Sequence, residues 1–420
     1  MNSVVTRLSR RLLLPLMFGW SSFAFAADPI ALGMNLPRTG QYAQEGLMQM
    51  RGALLAVEEI NQAGGVLGRP LELLERDSAS NPERAQRNVD ELAGEGARML
   101  FGGASSAVAI AAGQRARERG LLYFGTLTYS NDTTGAAGHR YMFRESYNAW
   151  MAARVLSAQL QEQFAGKRYY YVTADYTWGH STEQSMRHFT DTSSAETHGA
   201  TLVPFPNASL RELREALQKA KEAEPEVLVL VLFGEQMVKA MGIARQLGFD
   251  DVQIVVPNLT LSMVEQAGPA VMAGVMGAVP WAWNVPQQFG YARGEAFVRD
   301  FAARYETYPS SSAASAYSIV YQWADAVTRT GSLDSEALIR ALEGHSYELL
   351  KDTQTWRAFD HQNLQTVYAV RIKPRAEVMA DPLRQDYFEI LGSLPGEQAA
   401  QTLEQWQEVR RAAGQPLRLQ

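Results

Sequence analysis

The sequence predicts an α/β protein made of two doubly wound parallel-sheet lobes, and three observations carry that expectation. The chain has 420 residues, more than one hydrophobic core ordinarily holds, so two domains are expected. Short apolar runs alternate with helix-length amphipathic segments, the rhythm of a parallel sheet covered by helices on both faces. That rhythm runs from about residue 30 and then restarts at Tyr169.

The N-terminus stands apart from this pattern. Arg7, Arg10 and Arg11 give a positive start, Leu12 to Trp20 an apolar stretch, and Ala24-Phe25-Ala26 the small residues of a signal-peptidase site, with cleavage expected before Ala27. The apolar stretch is well short of the roughly 20 residues that span a bilayer, so residues 1–26 read as an export signal rather than an anchor. An exported lipoprotein needs a cysteine just after its signal, and the chain has no cysteine at all. The mature chain is therefore expected free in a periplasm, with no insertion of its own into the membrane.

Ile30 to Met34 reads as the first strand, because Ile30, Leu32 and Met34 alternate with their neighbours. Pro37-Arg38-Thr39-Gly40 turns the chain. From Leu47 onward, Met50, Leu54, Val57 and Ile60 fall at helical spacing, and Gly64-Gly65 ends that helix. Leu71 to Leu74 is the next strand, followed by a helix with Asn81 as N-cap and Pro82 at its first position. Met99 to Phe101 and Leu121 to Phe124 continue the series. In the second half Tyr169 to Val172, Thr201 to Val203, Val227 to Phe233 and Val252 to Val256 read as strands, with a helix over Glu235 to Leu247 capped by Gly248. Val227 to Phe233 is apolar without alternation, as a central parallel strand buried on both faces should be.

Composition removes several functions. The absence of cysteine excludes disulfides, thiolate metal sites and cysteine nucleophiles. Removing residues 1–26, which hold three arginines and no acid, takes the formal net charge from −6 to −9, and an acidic surface argues against nucleic acid as a partner. The six histidines (His139, His180, His188, His198, His345 and His361) show no metal-ligand spacing and read as surface or loop residues. There is no nucleophile elbow, no P-loop and no dinucleotide fingerprint. No enzyme, cofactor or metal is expected.

Asn61-Gln62-Ala63-Gly64-Gly65-Val66-Leu67-Gly68-Arg69-Pro70-Leu71, after a strand, a turn and a helix, resembles a signature of one protein group. That group is the type I periplasmic binding proteins of the leucine/isoleucine/valine and amide/urea kind. Phe101-Gly102-Gly103-Ala104-Ser105-Ser106 resembles that family's turn after the third strand, and Tyr141-Met142-Phe143-Arg144 its crossing into the second lobe. Asp175-Tyr176-Thr177-Trp178-Gly179 resembles the loop after the second lobe's first strand. The resemblance covers residues 29 to 373. It implies a multi-strand hinge, with lobe 1 at 27–145 plus 283–355 and lobe 2 at 146–282 plus 356–378. Residues 379–420 then form an extension in which Leu403, Trp406 and Val409 suggest a helix packed on a lobe. It further implies a small-molecule ligand and an inner-membrane ABC permease as partners. A periplasmic sensor subunit docking on a signalling receptor is the alternative, since one fold serves both roles.

Ligands of doubly wound sheets bind beyond the carboxyl ends of the strands, where helix N-termini meet. Ser105 and Ser106 sit at such a turn, suited to a carboxylate or amide oxygen, or serving only as a helix N-cap. By the resemblance Thr128 and Tyr129 lie in the family's second ligand-contacting turn, although an ordinary polar loop reads the same way. Trp178 occupies the place of an aromatic that covers the ligand, Phe233 stands as a second wall or as core, and Tyr42 is a further contact or a surface residue. Family members that bind amino acids put a carboxylate near the end of the fourth strand of lobe 2, where this chain has Asn258. An unpaired ammonium in a closed cleft costs several kcal/mol, so amides, ureas or carboxylates lacking an amine are expected unless Glu45 or Glu235 supplies the anion.

Overall fold

Two parallel sheets of the same strand order organise the chain. In the computed structural model, which describes residues 28–420, the first sheet holds β1 (Ile30–Leu36), β2 (Leu71–Asp77), β3 (Met99–Gly102), β4 (Tyr123–Gly125) and β5 (Met142–Arg144), in the order β2-β1-β3-β4-β5. The second holds β6 (Tyr169–Ala174), β7 (Gly199–Val203), β8 (Val227–Val231), β9 (Gln253–Asn258) and β10 (Met276–Val279), in the equivalent order β7-β6-β8-β9-β10. A small sheet of β11 (Ser346–Tyr347), β12 (Gln354–Trp356) and β13 (Asn363–Leu364) lies apart. Next, β14 (Val367–Ile372) and β15 (Phe388–Leu394) extend the second sheet antiparallel beyond β10. The expected export signal lies outside the described residues. No helix among the described residues is long and apolar enough to cross a membrane.

Side-chain alternation makes each sheet two-faced. In the first sheet Met99, Phe101 and Phe124 enter one core, while Leu100, Tyr123 and Met142 enter another on the opposite face. That is the doubly wound condition expressed in packing. Every residue of β8 is fully buried, so its unbroken apolar run has a partner on both sides.

The connections between the sheets are tied to one another. Arg144, Gln362 and Tyr147 lie in two of the connecting segments, and Arg144 Nε donates to Gln362 Oε1 at 2.6 Å while the Tyr147 hydroxyl donates to Ala278 O at 2.8 Å. Lys351 is buried and donates to Pro280 O and Thr366 O, at 2.6 and 2.7 Å. After β15 the chain returns to the first lobe. There the Leu403–Ala412 helix buries Trp406, whose Nε1 donates to Thr134 O, and Arg410, which donates to Gly135 O and Gly138 O. Leu403 at the start of that helix is 45% exposed and does not take part in the packing.

Three elements differ from the sequence reading. The first helix spans Ala43–Gln62, a turn earlier than its apolar periodicity shows. Its first turn carries Gln44, Glu45 and Gly46 and faces the other lobe, so hydrophobic spacing is silent there. Trp178 belongs to the first turn of the Thr177–Thr190 helix rather than to a loop. Among the histidines, His139, His198 and His361 are buried. His361 stacks on Phe143 with ring centroids 3.9 Å apart, and burial lowers the His139 pKa to about 4, which keeps it neutral. Their aromatic bodies pack like other rings, a use that metal-ligand spacing does not detect.

Candidate functional site

Both sheets direct their C-terminal strand ends at each other, and every candidate residue sits on one of those ends. From the first lobe come Tyr42 after β1, Ser105 and Ser106 after β3, and Thr128 and Tyr129 after β4. From the second come Trp178 after β6, Phe233 after β8 and Asn258 at the end of β9. In each sheet the order reverses between its first and third strands, the position where doubly wound sheets bind ligands.

The two edges are closed on each other. Thr177 Oγ1 donates to Asp132 Oδ2 and lies 3.0 Å from Ser130 Oγ, and Asn131 Nδ2 donates to Ser185 Oγ at 3.0 Å. Further in, Thr260 Oγ1 donates to Glu45, and the Tyr42 hydroxyl is 3.4 Å from that of Tyr176. One apolar cluster therefore runs across the cleft and includes Tyr42, Ala104, Leu127 and Tyr129 with Trp178 and Phe233.

Aromatic rings form the walls. The Phe233 ring meets Tyr42, Tyr129 and Trp178 edge-on, with centroids 5.6, 5.9 and 5.9 Å away. Edge-to-face packing of this kind excludes water and is directional. Trp178 is fixed by its Nε1, which donates to Asn258 Oδ1 at 3.2 Å. Tyr176 stacks flat on Phe205 at 3.6 Å behind it.

The polar groups divide into those that hold the frame and those left over. Ser106 Oγ accepts from Ser130 N at 3.0 Å, and Thr126 Oγ1 donates to Gly103 O at 2.7 Å, so both brace the turns. Arg144 is fully buried and donates to the carbonyls of Thr128 and Ser130 and to Thr134 Oγ1. Burial lowers its pKa to about 9, still above neutrality, so it works as a cation. Ser105 has N-cap backbone geometry, yet its hydroxyl makes no cap bond. Ser105 Oγ, Thr128 Oγ1, the Tyr129 hydroxyl and Asn258 Nδ2 are all buried without a partner. Buried polar atoms are nearly always paired, so four orphans beside one cluster mark a place where another molecule's polar atoms fit.

Sequence reasoning brought Tyr42, Tyr129, Trp178, Phe233 and Asn258 to one place, and Ser105 and Thr128 to its lobe-1 rim. It left out Tyr147, Tyr176, Ser262 and Ser311. Of these, Tyr176, inside the Asp175-to-Gly179 motif, and Ser311, in the serine run that opens the Ser311–Thr330 helix, carry a visible sequence signal. Glu235 is half exposed and pairs with Lys239 at 3.0 Å, so it faces away from the cleft. An open cavity of about 370 Å³ lies at the outer rim of the seam between the lobes, lined by Asn131, Asp132, Trp150, Ser185, His188 and Val409, but it holds none of the unpartnered buried atoms. Among the described residues no three His, Asp or Glu side chains gather as a metal site.

Gly234 shows how closely the lobes approach. Its φ is +58°, and a Cβ there would stand 2.6 Å from the Tyr42 ring of the other lobe. Gly234→Ala is expected to resist closure and to weaken ligand binding by about 1–3 kcal/mol, from backbone strain and ring clash together. Calorimetry checks this, with unchanged affinity counting against the closed geometry as the binding form.

Residues 29–377 match the model of a family described as periplasmic binding protein. A leucine-, isoleucine-, valine-, threonine-, and alanine-binding protein of Pseudomonas aeruginosa is 24% identical over 350 residues, which is 83% of this chain and 91% of that one. An amino acid ABC transporter substrate-binding protein from Pseudomonas fluorescens superposes with a TM-score of 0.78 at 25% identity, covering 88% of this chain and 97% of its own. A periplasmic binding protein from Burkholderia mallei gives a TM-score of 0.81 at 23% identity, covering 90% and 98%.

Proposed function

The chain belongs to the periplasmic binding protein family, and on that premise we propose that it is the solute-binding component of an ABC importer. It closes two lobes on a small organic solute and presents it to an inner-membrane permease. One observation carries this reading: unpartnered buried polar atoms from the C-terminal edges of both sheets surround a single aromatic cluster. Such a site suits binding: its hydroxyls and amide offer hydrogen bonds and its rings offer apolar contact.

In this reading Ser105 and Thr128 hold an oxygen of the ligand at the lobe-1 rim, and Ser106 and Tyr129 complete that turn. Tyr42, Trp178 and Phe233 enclose an apolar or planar body, and Asn258 offers its free amide N–H. The Pseudomonas aeruginosa relative is named for five amino acids, each with a carboxylate of the kind the Ser105 and Thr128 hydroxyls suit. The chain works in the periplasm after losing residues 1–26. Its lobes comprise 27–145 with 283–355 and 146–282 with 356–378. Import is preferred to sensing because the Pseudomonas fluorescens protein of the same fold is itself named for an ABC transporter.

A thermal-shift screen of amino acids, amides, ureas and aromatic or aliphatic acids tests the reading, since a ligand that binds only the folded state raises its apparent stability. The best hit is expected to reduce the radius of gyration in small-angle scattering, because it favours the closed lobes. A screen without hits, or a saturating hit that leaves the radius unchanged, counts against it.

A further inference from the structure

Glu45 is an acid set deep between the lobes. It sits in the first turn of the Ala43–Gln62 helix and is only 2% exposed. Ser312 Oγ from its own lobe and Thr260 Oγ1 from across the cleft both donate to its carboxylate. The Ser262 hydroxyl also acts on it, while Ser262 Oγ forms no completed hydrogen bond. No lysine, arginine or histidine among the described residues acts on Glu45 or pairs with it; burial is the largest influence on its pKa and pushes the carboxyl above its ordinary value.

The surroundings of this carboxylate are incomplete in the way a ligand would complete them. Ser262 Oγ, Ser311 Oγ, the Tyr129 hydroxyl and Asn258 Nδ2 are buried without a completed hydrogen bond, although Ser262 faces Glu45, Ser311 faces Tyr129 and Asn258 faces Tyr147. Both Glu45 and Ser311 act on the Tyr129 phenol, which places the three together. One helical turn beyond Glu45, Gln49 Nε2 donates to Gly103 O at 2.9 Å, beside the Ser105 turn. Acid and oxygen-binding turn therefore lie against the same stretch of helix. Hydroxyl donors do not neutralise a carboxylate, so ionising it here costs several kcal/mol, which is why burial pushes its pKa up until a cation compensates it.

We propose that Glu45 is the counter-ion for a cationic nitrogen of the ligand, so that the solute carries an ammonium or amidinium group together with an oxygen acceptor. The assignment rests on the importer reading and narrows it. It also explains how Asn258 can stand where an acid is expected: the charge is supplied from lobe 1 instead of lobe 2. Glu45 must lose its proton to receive the cation, so affinity for such a ligand rises from mildly acidic to neutral pH. Tyr129 faces Glu45 and is itself acted on by Tyr147 and Glu145; burial raises both phenols above their ordinary value, so they stay neutral across that range, and it pushes the Glu145 carboxyl up as well.

The test uses matched probes that differ only in the amine: L-leucine against 4-methylpentanoate, and L-phenylalanine against 3-phenylpropanoate, titrated into wild type and Glu45→Gln. The amine-bearing members are expected to bind on the order of a hundredfold more tightly than their partners. Glu45→Gln, which keeps the shape, should remove that preference and the pH dependence, so that each amino acid binds no more tightly than its deaminated partner. If the variant does not fold by circular dichroism, the matched pairs in wild type decide alone. Equal binding of both members of a pair, or a folded Glu45→Gln that binds the amino acids like wild type, overturns the assignment and leaves the importer reading standing. If neither set binds while the wider screen finds a neutral or anionic ligand, the assignment alone falls; if that screen is also empty, both readings fall.

Discussion

Arg144→Met is expected to destabilise the protein by about 3–5 kcal/mol, the largest effect of any single substitution in the cleft support. The guanidinium satisfies four acceptors at once: the carbonyls of Thr128 and Ser130, Thr134 Oγ1 and Gln362 Oε1. Methionine fills much of the same space but donates nothing. Two carbonyls and two side-chain oxygens are then left buried, each costing about 1–3 kcal/mol before relaxation and water entry recover part of it. Gln362 also donates to Ser146 O and Asn363 O, so the damage spreads to the connections between the lobes. For a lobe of this size each kcal/mol lowers Tm by roughly 2–4 °C, and a drop on the order of 10 °C is expected in a thermal melt. Arg144→Lys keeps the charge with fewer, differently aimed donors and should lie in between. A melt within a degree or two of wild type would mean that the Thr128–Ser130 turn does not depend on this residue.

The same residues show what a sequence makes legible. Strands such as Val227–Val231 and the alternating Ile30, Leu32 and Met34 announce themselves because burial on one or two faces dictates residue type locally. The strand ends follow from those elements, and only with the family resemblance did they put Tyr42, Ser105, Trp178 and Phe233 at one cleft. Closure is different, because it is written in pairs far apart in the chain. Nothing near Thr260 announces Glu45, and nothing near Gly234 announces the Tyr42 ring it admits. Besides the helix that Leu403, Trp406 and Val409 suggest, residues 379–420 hid a strand. β15 is an edge strand with a mixed burial pattern, and polar residues on an edge blur the alternation. Ser106 illustrates the limit at the site itself. Its position beside Ser105 gave both hydroxyls the same reading, yet one holds the Ser130 amide and the other is free, a distinction only side-chain direction decides.

Trp178→Ala is expected to weaken ligand binding by about 2–3 kcal/mol, roughly thirty- to one-hundred-and-fifty-fold, as loss of a central buried aromatic does in other binding sites. The indole joins both functions of the second lobe's rim. Its ring packs edge-on against Phe233, and its Nε1 occupies Asn258 Oδ1, which orients the Asn258 amide so that Nδ2 stays free. Alanine removes the wall and releases the amide together. Because the ring covers the cleft only after the lobes meet, encounter with the open form should be little affected, and the loss should appear mainly in the dissociation rate. Trp178→Phe separates the two contributions: it keeps an aromatic wall and gives up the hydrogen bond, for a cost of about 1 kcal/mol, roughly fivefold. Stopped-flow release of the best ligand from the thermal-shift screen reads both variants. Faster release in the order alanine, phenylalanine, wild type is the expected result. Equal release rates with intact folding would place the ligand away from Trp178 and Phe233, and the cleft would then have to be sought on another face.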